Sequence, residues 1–321
     1  MIDRRSLLAL AGSAALVKPA RAQAYPVRPV TLIVPFAAGG STDVIARIVA
    51  RALHEEIGLV VVDNRAGAGG SLGTAQIAKA EPDGYTIGMG TASTLAINPA
   101  AYKSLPFDVL RDLAPVGEIA AVPNIMSVHP DVAARDMAEF IALVKAQPGK
   151  FAYGSSGSGS VSHLMGEQFK LATATDMVHV PYRGLGPALN DAVAGQIQVL
   201  FDNLPTSLPL VQAGQLRALA VSGPQRVAAL PTVPTFAEVK LDELNWMAFF
   251  GIVAPAKTPP PIIARLNTAL QRALSQSNVR TQLAAQQAVV VANSPEQFGA
   301  EINRELDRMR RATAAAKISI D

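Results

Sequence analysis

Cysteine is missing from all 321 residues. That excludes disulfides and a lipid-modified anchoring cysteine, so the fold must be held by its core alone. Aromatic residues make up only 5% and charged residues 17%, while half of the chain is hydrophobic. The balance argues against disorder and for a large aliphatic core. No apolar run reaches the ~20 residues that a membrane-spanning helix needs. G-x-G-x-x-G and the G-K-S/T ending of a phosphate loop are both absent, which argues against a dinucleotide or a triphosphate. There is no fixed-period repeat, low-complexity tract or long linker. A chain of this length without such features is expected to form two domains.

The first residues read as a leader. "MIDRRSLLALAGSAALVKPARAQA" opens with Arg4 and Arg5, continues with an apolar stretch from Ser6 to Val17, and ends in small residues at Ala20, Ala22 and Ala24. This is the pattern of a secretory signal over residues 1–24, with cleavage after Ala22 or Ala24. The arginine pair and Lys18 fit a twin-arginine signal as well as an ordinary one. The leader also accounts for the charge. Arg4, Arg5, Lys18 and Arg21 against Asp3 give +3, equal to the formal charge of the whole chain, so the remainder is neutral. No basic stripe is left for nucleic acid. A soluble protein of the periplasm is expected.

Downstream, short apolar runs alternate with amphipathic stretches, which points to an α/β fold with parallel sheets. Strands are expected at 30–36, 59–64, 85–91, 151–156, 177–182, 198–203, 216–222 and 247–255. Helices are expected at 42–56, 71–80, 136–146, 159–172, 186–195 and 261–275. A last helix starts from Ser294, with Pro295 at its first position and Gln297 completing a capping box. The extended runs at 116–129 and 247–255 suit two crossovers between two lobes. Lobe I is then 25–122 with 251–321, and lobe II is 123–250. One continuous sheet is the alternative.

Four strand-to-helix turns are rich in Gly, Ser and Thr: "FAAGGSTD" from 36, "RAGAGGSLG" from 65, "GTASTLAINP" from 90 and "YGSSGSGSVSH" from 153. The first N–H groups of a helix lack partners and carry partial positive charge, so such turns favour small anions, a carboxylate being the simplest. The same turns could be tight turns and caps alone, which is the better account of "RAGAGGSLG". Within it, "GGSLG" satisfies G-x-S-x-G with Ser71 in the nucleophile's place, the signature of a hydrolase. The preceding strand ends too early for a nucleophile elbow.

His163 and Glu167, four residues apart, could share a metal, although a capping or buried polar role needs no third ligand. Asp43 could meet a ligand amine or complement a helix dipole. Arg183 could pair a carboxylate or lie in solvent, and Trp246 suits a core. No catalytic constellation, metal site or cofactor site emerges.

Taken together, "YPVRPVTLIVPFAAGGSTDVIAR", "VVDNRAGAGGSLGTAQIAKAEPDGYTI", "INPAAYKSLPFD", "YGSSGSGSVSHLMGEQF", "HVPYRGLGPALNDAVAGQI", "FDNLPTSLPLVQAGQLRALAVSG" and "LPTVPTFAE" closely resemble the substrate-binding receptors of tripartite tricarboxylate transporters. These are the Bug-type periplasmic receptors, and the likeness covers the chain beyond the leader. It implies a two-lobed, type II periplasmic-binding-protein fold with two hinge crossovers, closing on a small organic carboxylate and delivering it to membrane subunits. It also implies a monomer that needs no cofactor and holds its ligand through backbone N–H groups, small hydroxyls and waters. Carried onto this sequence, the contacts come from Phe36, Ala38, Gly39 and Gly40, then Thr91 and Ser93, in lobe I. Lobe II contributes Ser156, Ser158, Gly159 and Ser160, with Gly184 and Asp202, the last either selecting a ligand amine or hydroxyl or capping a turn. A receptor that signals to a membrane kinase, and a secreted hydrolase using Ser71, are the competing functions.

Overall fold

The computed structural model describes residues 25–321, so the leader lies outside the described residues. Among the described residues, eleven strands form two sheets. The first has six strands: β1 (Val30–Val34), β2 (Val60–Asn64), β3 (Thr86–Thr91), β4 (Leu113–Val122), β10 (Ala248–Pro255) and β11 (Val289–Val290), in the order β11-β4-β10-β3-β1-β2. The second has five: β5 (Asn124–Val128), β6 (Ala152–Ser155), β7 (Val178–Pro181), β8 (Val199–Asn203) and β9 (Arg217–Val221), in the order β7-β6-β8-β5-β9. Lobe I is built on the first sheet and lobe II on the second. The chain changes sheet at Pro123, whose fixed φ and missing donor suit a crossover. It returns through the connector between Val221 and Ala248.

The sheets are mixed rather than purely parallel. β1 pairs in parallel with β2 and β3, and β6 with β7 and β8. The strands that arrive from the other lobe run against their neighbours: β5 between β8 and β9, and β10 between β3 and β4. The short edge strand β11 is antiparallel too. Local periodicity says nothing about the direction in which a crossover strand enters a sheet.

The expected helices form as α1 (Ser41–Ile57), α2 (Ser71–Lys79), α3 (Met137–Ala146), α4 (Val161–Thr173), α5 (Leu185–Val193) and, after α6, α7 (Pro260–Ser275). Two further nine-residue helices, α6 (Leu204–Gln212) and α8 (Ser277–Ala285), and two single turns, Asn98–Ala101 and Val109–Asp112, precede the last one, α9 (Pro295–Ala315). α6 is hard to read from the sequence because Pro209 lies inside it, where a proline normally ends a helix. The Ser294 capping box of α9 is present with both bonds formed. Among the described residues no helix is long and apolar enough to cross a membrane.

Ligands of open α/β sheets bind beyond the carboxyl ends of the parallel strands. Here the turns after β1, β2 and β3 meet the turns after β6, β7 and β8. The two lobes therefore face each other with their glycine-rich ends.

Candidate functional site

A cleft between the lobes has an empty volume of about 430 Å³, mouth included. Lobe I lines it with Phe36, Gly40, Ser41, Thr42, Thr91, Ala92 and Ser93, and with Ala248, Phe249 and Phe250 of β10. Lobe II adds Ser156, Val161, Ser162, Leu185, Asp202 and Asn203. Among the described residues no lysine, arginine or histidine lines it, and Asp202 is the one ionisable residue that does.

Helix starts take the place of cations. Gly40 precedes α1 without a side-chain cap, so the opening N–H groups of that helix are left for the cleft. Val161 and Ser162 open α4, Leu185 opens α5, and Asn203 stands just before α6. The partial positive ends of four helices thus gather on one space, with the hydroxyls of Ser41, Thr42, Thr91, Ser93, Ser156 and Ser162 around it. Aromatic and aliphatic walls from Phe36, Phe249, Phe250, Val161 and Leu185 exclude water and strengthen these dipoles.

The turns also meet each other directly. Ala37 N–H donates to the Arg183 carbonyl at 3.3 Å, and Val161 N–H donates to Ser93 Oγ at 3.0 Å. Ser41 Oγ donates to Asn203 Oδ1 at 3.0 Å, and Tyr102 OH donates to the Ser158 carbonyl at 3.0 Å. Gly69, at φ +58°, comes so near Ser158 that a Cβ would lie 2.0 Å from its carbonyl oxygen. The lobes are closed on one another.

Of the residues carried over from the family likeness, Phe36, Gly40, Thr91, Ser93, Ser156 and Asp202 come together in the cleft. Ala38 and Gly39 are exposed at the first turn, where Gly39 N–H donates to Asp43 Oδ2 at 3.1 Å. Ser158 and Gly159 pack on Tyr102 and Asn98. Ser160 caps α4 through His163 N–H, and Gly184 abuts the backbone of Ala37. Ser41, Thr42, Asn203, Phe249 and Phe250 are lining residues that the sequence reading missed. Ser41 and Thr42 lay in the quoted "GGSTD" run, whereas the phenylalanines arrive on a strand more than a hundred residues away.

The remaining candidates have structural partners. Asp43 accepts from Gly39 N–H, Asn64 Nδ2 and Arg47 Nε, which ties the first turn to β2. Burial pushes its carboxyl up, but these bonds outweigh it and hold the group below its usual range. Asp202 is fully buried and accepts from Asn203 N–H, Thr206 Oγ1 and Ser207 Oγ at 2.6, 2.7 and 2.6 Å. Desolvation nevertheless dominates and raises its carboxyl to about 6. Its oxygens are occupied by Asn203 N–H and by two hydroxyls of the first turn of α6, which tie it to that turn.

His163 accepts from Gly159 N–H at 3.2 Å, and Glu167 is bonded by Tyr153 OH and Lys170. Among the described residues no group of three His, Asp or Glu could hold a metal. Ser71 opens α2 in lobe I, while the one Ser–His side-chain bond among the described residues joins Ser155 to His179 in lobe II at 2.7 Å. Arg183 is exposed outside the cleft. Trp246 is buried within the connector.

Comparisons agree with this architecture. Residues 45–317 match the model of the tripartite tricarboxylate transporter family receptor. The protein BugT of Bordetella pertussis is 39% identical over 308 residues, covering 94% of each chain. The solved structure of the periplasmic binding protein BugD superposes with a TM-score of 0.89 at 31% identity, covering 92% of this chain and 99% of that one. Rpa4515 of R. palustris, solved with adipate, gives 0.88 at 35% identity, covering 92% and 99%. The chain belongs to the receptor family of the tripartite tricarboxylate transporters.

Proposed function

We propose that this protein is a periplasmic receptor that closes its two lobes on a small organic carboxylate and hands it to the membrane subunits of a tripartite transporter. The observation that carries the reading is the gathering of four helix N-termini and six hydroxyls around a cleft that no cationic side chain lines among the described residues. Such a site holds an anion by fixed dipoles and hydrogen bonds. It suits a carboxylate whose hydrocarbon part rests on Phe36, Phe249 and Phe250, and adipate on the related Rpa4515 is a ligand of that kind.

Lobe I, in this reading, is 25–122 with the chain from β10 onward, and lobe II runs from Pro123 to the connector. They move as units about Pro123 and the connector. The ligand contacts are Phe36, Gly40, Thr91, Ser93 and Ser156, with Ser41, Thr42, Ser162 and Asn203 added from the cleft. Asp202 holds the start of α6 in place. The receptor carries its ligand as a monomer and catalyses nothing. It reaches the periplasm through the leader at residues 1–24.

Magnitudes permit this. Micromolar affinity needs about −8 kcal/mol, and hydrogen bonds to a charged group contribute roughly 1.5–3 kcal/mol each. A thermal-shift screen of mono-, di- and tricarboxylates, adipate included, on refolded protein tests the reading. At least one acid should raise the melting temperature through mass action. A flat response across the whole series overturns it.

A further inference from the structure

Away from the cleft, a second groove of about 970 Å³, mouth included, runs between α4 of lobe II, the connector residues 242–246 and α9 of lobe I. Three buried polar atoms of its lining residues have no hydrogen-bond partner: Gln168 Oε1, Trp246 Nε1 and Arg308 Nε. They account for half of the unpartnered buried side-chain atoms among the described residues, and each comes from a different element. Arg308 could relieve only the Gln168 oxygen, because Trp246 Nε1 is itself a donor, and it is held in place. Its Nη2 is bonded to Glu305 at 2.6 Å, and its guanidinium lies over the Trp246 ring, 5.0 Å from the centroid. The three atoms are sealed from solvent, so a molecule in the groove could not reach them in this arrangement. What they do is make the closed arrangement costly, because a buried donor or acceptor left unpaired forfeits its bond to water.

The seam is wired to the cleft. Asn124, fully buried at the crossover, donates from Nδ2 to the Trp246 carbonyl at 2.7 Å and accepts on Oδ1 from Asn203 Nδ2 at 2.6 Å. Asn203 in turn accepts from Ser41 across the cleft at 3.0 Å. A rotation that parts Ser41 from Asn203 also moves α4 against α9, since the two helices belong to different lobes.

We infer that the seam formed by Gln168, Trp246 and Arg308 opposes lobe closure and so sets the affinity of the receptor from outside its ligand site. This rests on the reading that the carboxylate closes the lobes. Parting the lobes lets water reach the three atoms. A ligand that binds the closed form must offset the cost, and its apparent affinity falls with the fraction of closed molecules.

Trp246→Phe keeps an aromatic face beneath Arg308 while removing the unpaired N–H with the pyrrole part of the indole, and Gln168→Leu removes the unpaired oxygen on the other wall. Because the chain has no cysteine, spin labels at Glu81→Cys and Asp131→Cys, both exposed and one in each lobe, report the interlobe distance alone. Without ligand, each variant should hold a larger fraction of molecules at the closed distance of this structure than the wild type. Each should also bind adipate about three- to tenfold more tightly. Unchanged ligand-free distances in both variants overturn the inference. If no carboxylate binds the wild type, the receptor reading fails, and the ligand-free distances still decide the role of the seam.

Discussion

At the scale of single residues, the cleft separates groups that touch both lobes from groups that only shape a turn. Ser93 Oγ accepts from Val161 N–H across the cleft, and it is buried. Ser93→Ala removes that bond and one lining hydroxyl. The net worth of such a bond, roughly 0.5–1.5 kcal/mol, predicts about two- to tenfold weaker carboxylate binding with unchanged melting of the ligand-free protein. Isothermal calorimetry reads the first and a thermal scan the second; equal affinity would remove Ser93 from the site. Ser71 is the contrasting case. It opens α2 and its hydroxyl makes no hydrogen bond to a histidine among the described residues. Ser71→Ala should leave carboxylate affinity within twofold, and the wild type should show no esterase turnover. Ester hydrolysis lost in Ser71→Ala would reverse the assignment.

At the scale of elements, the glycine turns matter for how closely they approach as much as for their donors. A Cβ on Gly69 would stand 2.0 Å from the Ser158 carbonyl oxygen, which belongs to the opposite lobe. Gly69→Ala should therefore leave each lobe folded but hold the lobes apart, weakening the ligand more than tenfold, a loss above about 1.4 kcal/mol. Scattering of the variant at saturating ligand should stay at the ligand-free radius of gyration; contraction equal to that of the wild type would refute the steric argument.

The stacked pair behind the cleft turn on α4 and β7, His163 and His179, has rings 4.2 Å apart. Burial first, and then the neighbouring His163, hold His179 at about 4 against its usual 6.5, with Glu167 opposing and Lys170 adding to the depression. Burial likewise lowers His163, with Glu167 again opposing and Lys170 adding. Tyr153 stacks on His179, and Ser155 bonds it. A depressed folded pKa means that these neutral rings stabilise the fold above pH 6.5 and lose that contribution as pH falls toward 4. Asp202 acts in the opposite sense. Raised to about 6 from 3.8, it favours the fold at low pH and loses that contribution as pH rises through 6. His179→Phe should flatten the acid side of the profile of melting temperature against pH between 6.5 and 4. A slope identical to wild type would show that the pair does not govern it.

At the scale of the whole molecule, the closed arrangement predicts a change of shape. Among the described residues, four direct bonds join the lobes across the cleft and no strand pairing ties one sheet to the other. Ligand-free protein in solution should have a larger radius of gyration than this structure, and a bound carboxylate should reduce it to the value of the structure. Small-angle scattering with and without ligand checks this; a radius already at the closed value and unmoved by ligand would mean that the lobes do not part.

The alternation of apolar runs with amphipathic stretches determined most strands and helices, because side-chain period and burial are local properties. The Ser294 cap and the glycine turns were equally legible, since caps and positive-φ positions are written in adjacent residues. The hydroxyls of "GGSTD" and "GSGSVS" stood out for the same reason, and Ser41, Thr42 and Ser162 of these runs line the cleft. Direction and partnership were not legible. The antiparallel entry of β5 and β10, and the α6 helix that forms despite Pro209, depend on neighbours distant in the chain. So does the gathering of Ser41, Asn203 and Phe249 on one cleft. Whether a turn lines the cleft or packs on the facing lobe was likewise decided only by tertiary structure. A donor-rich turn has the same local sequence in both roles, and only the position of the other lobe tells Ser93 at the cleft from Gly69 at the seam with Ser158.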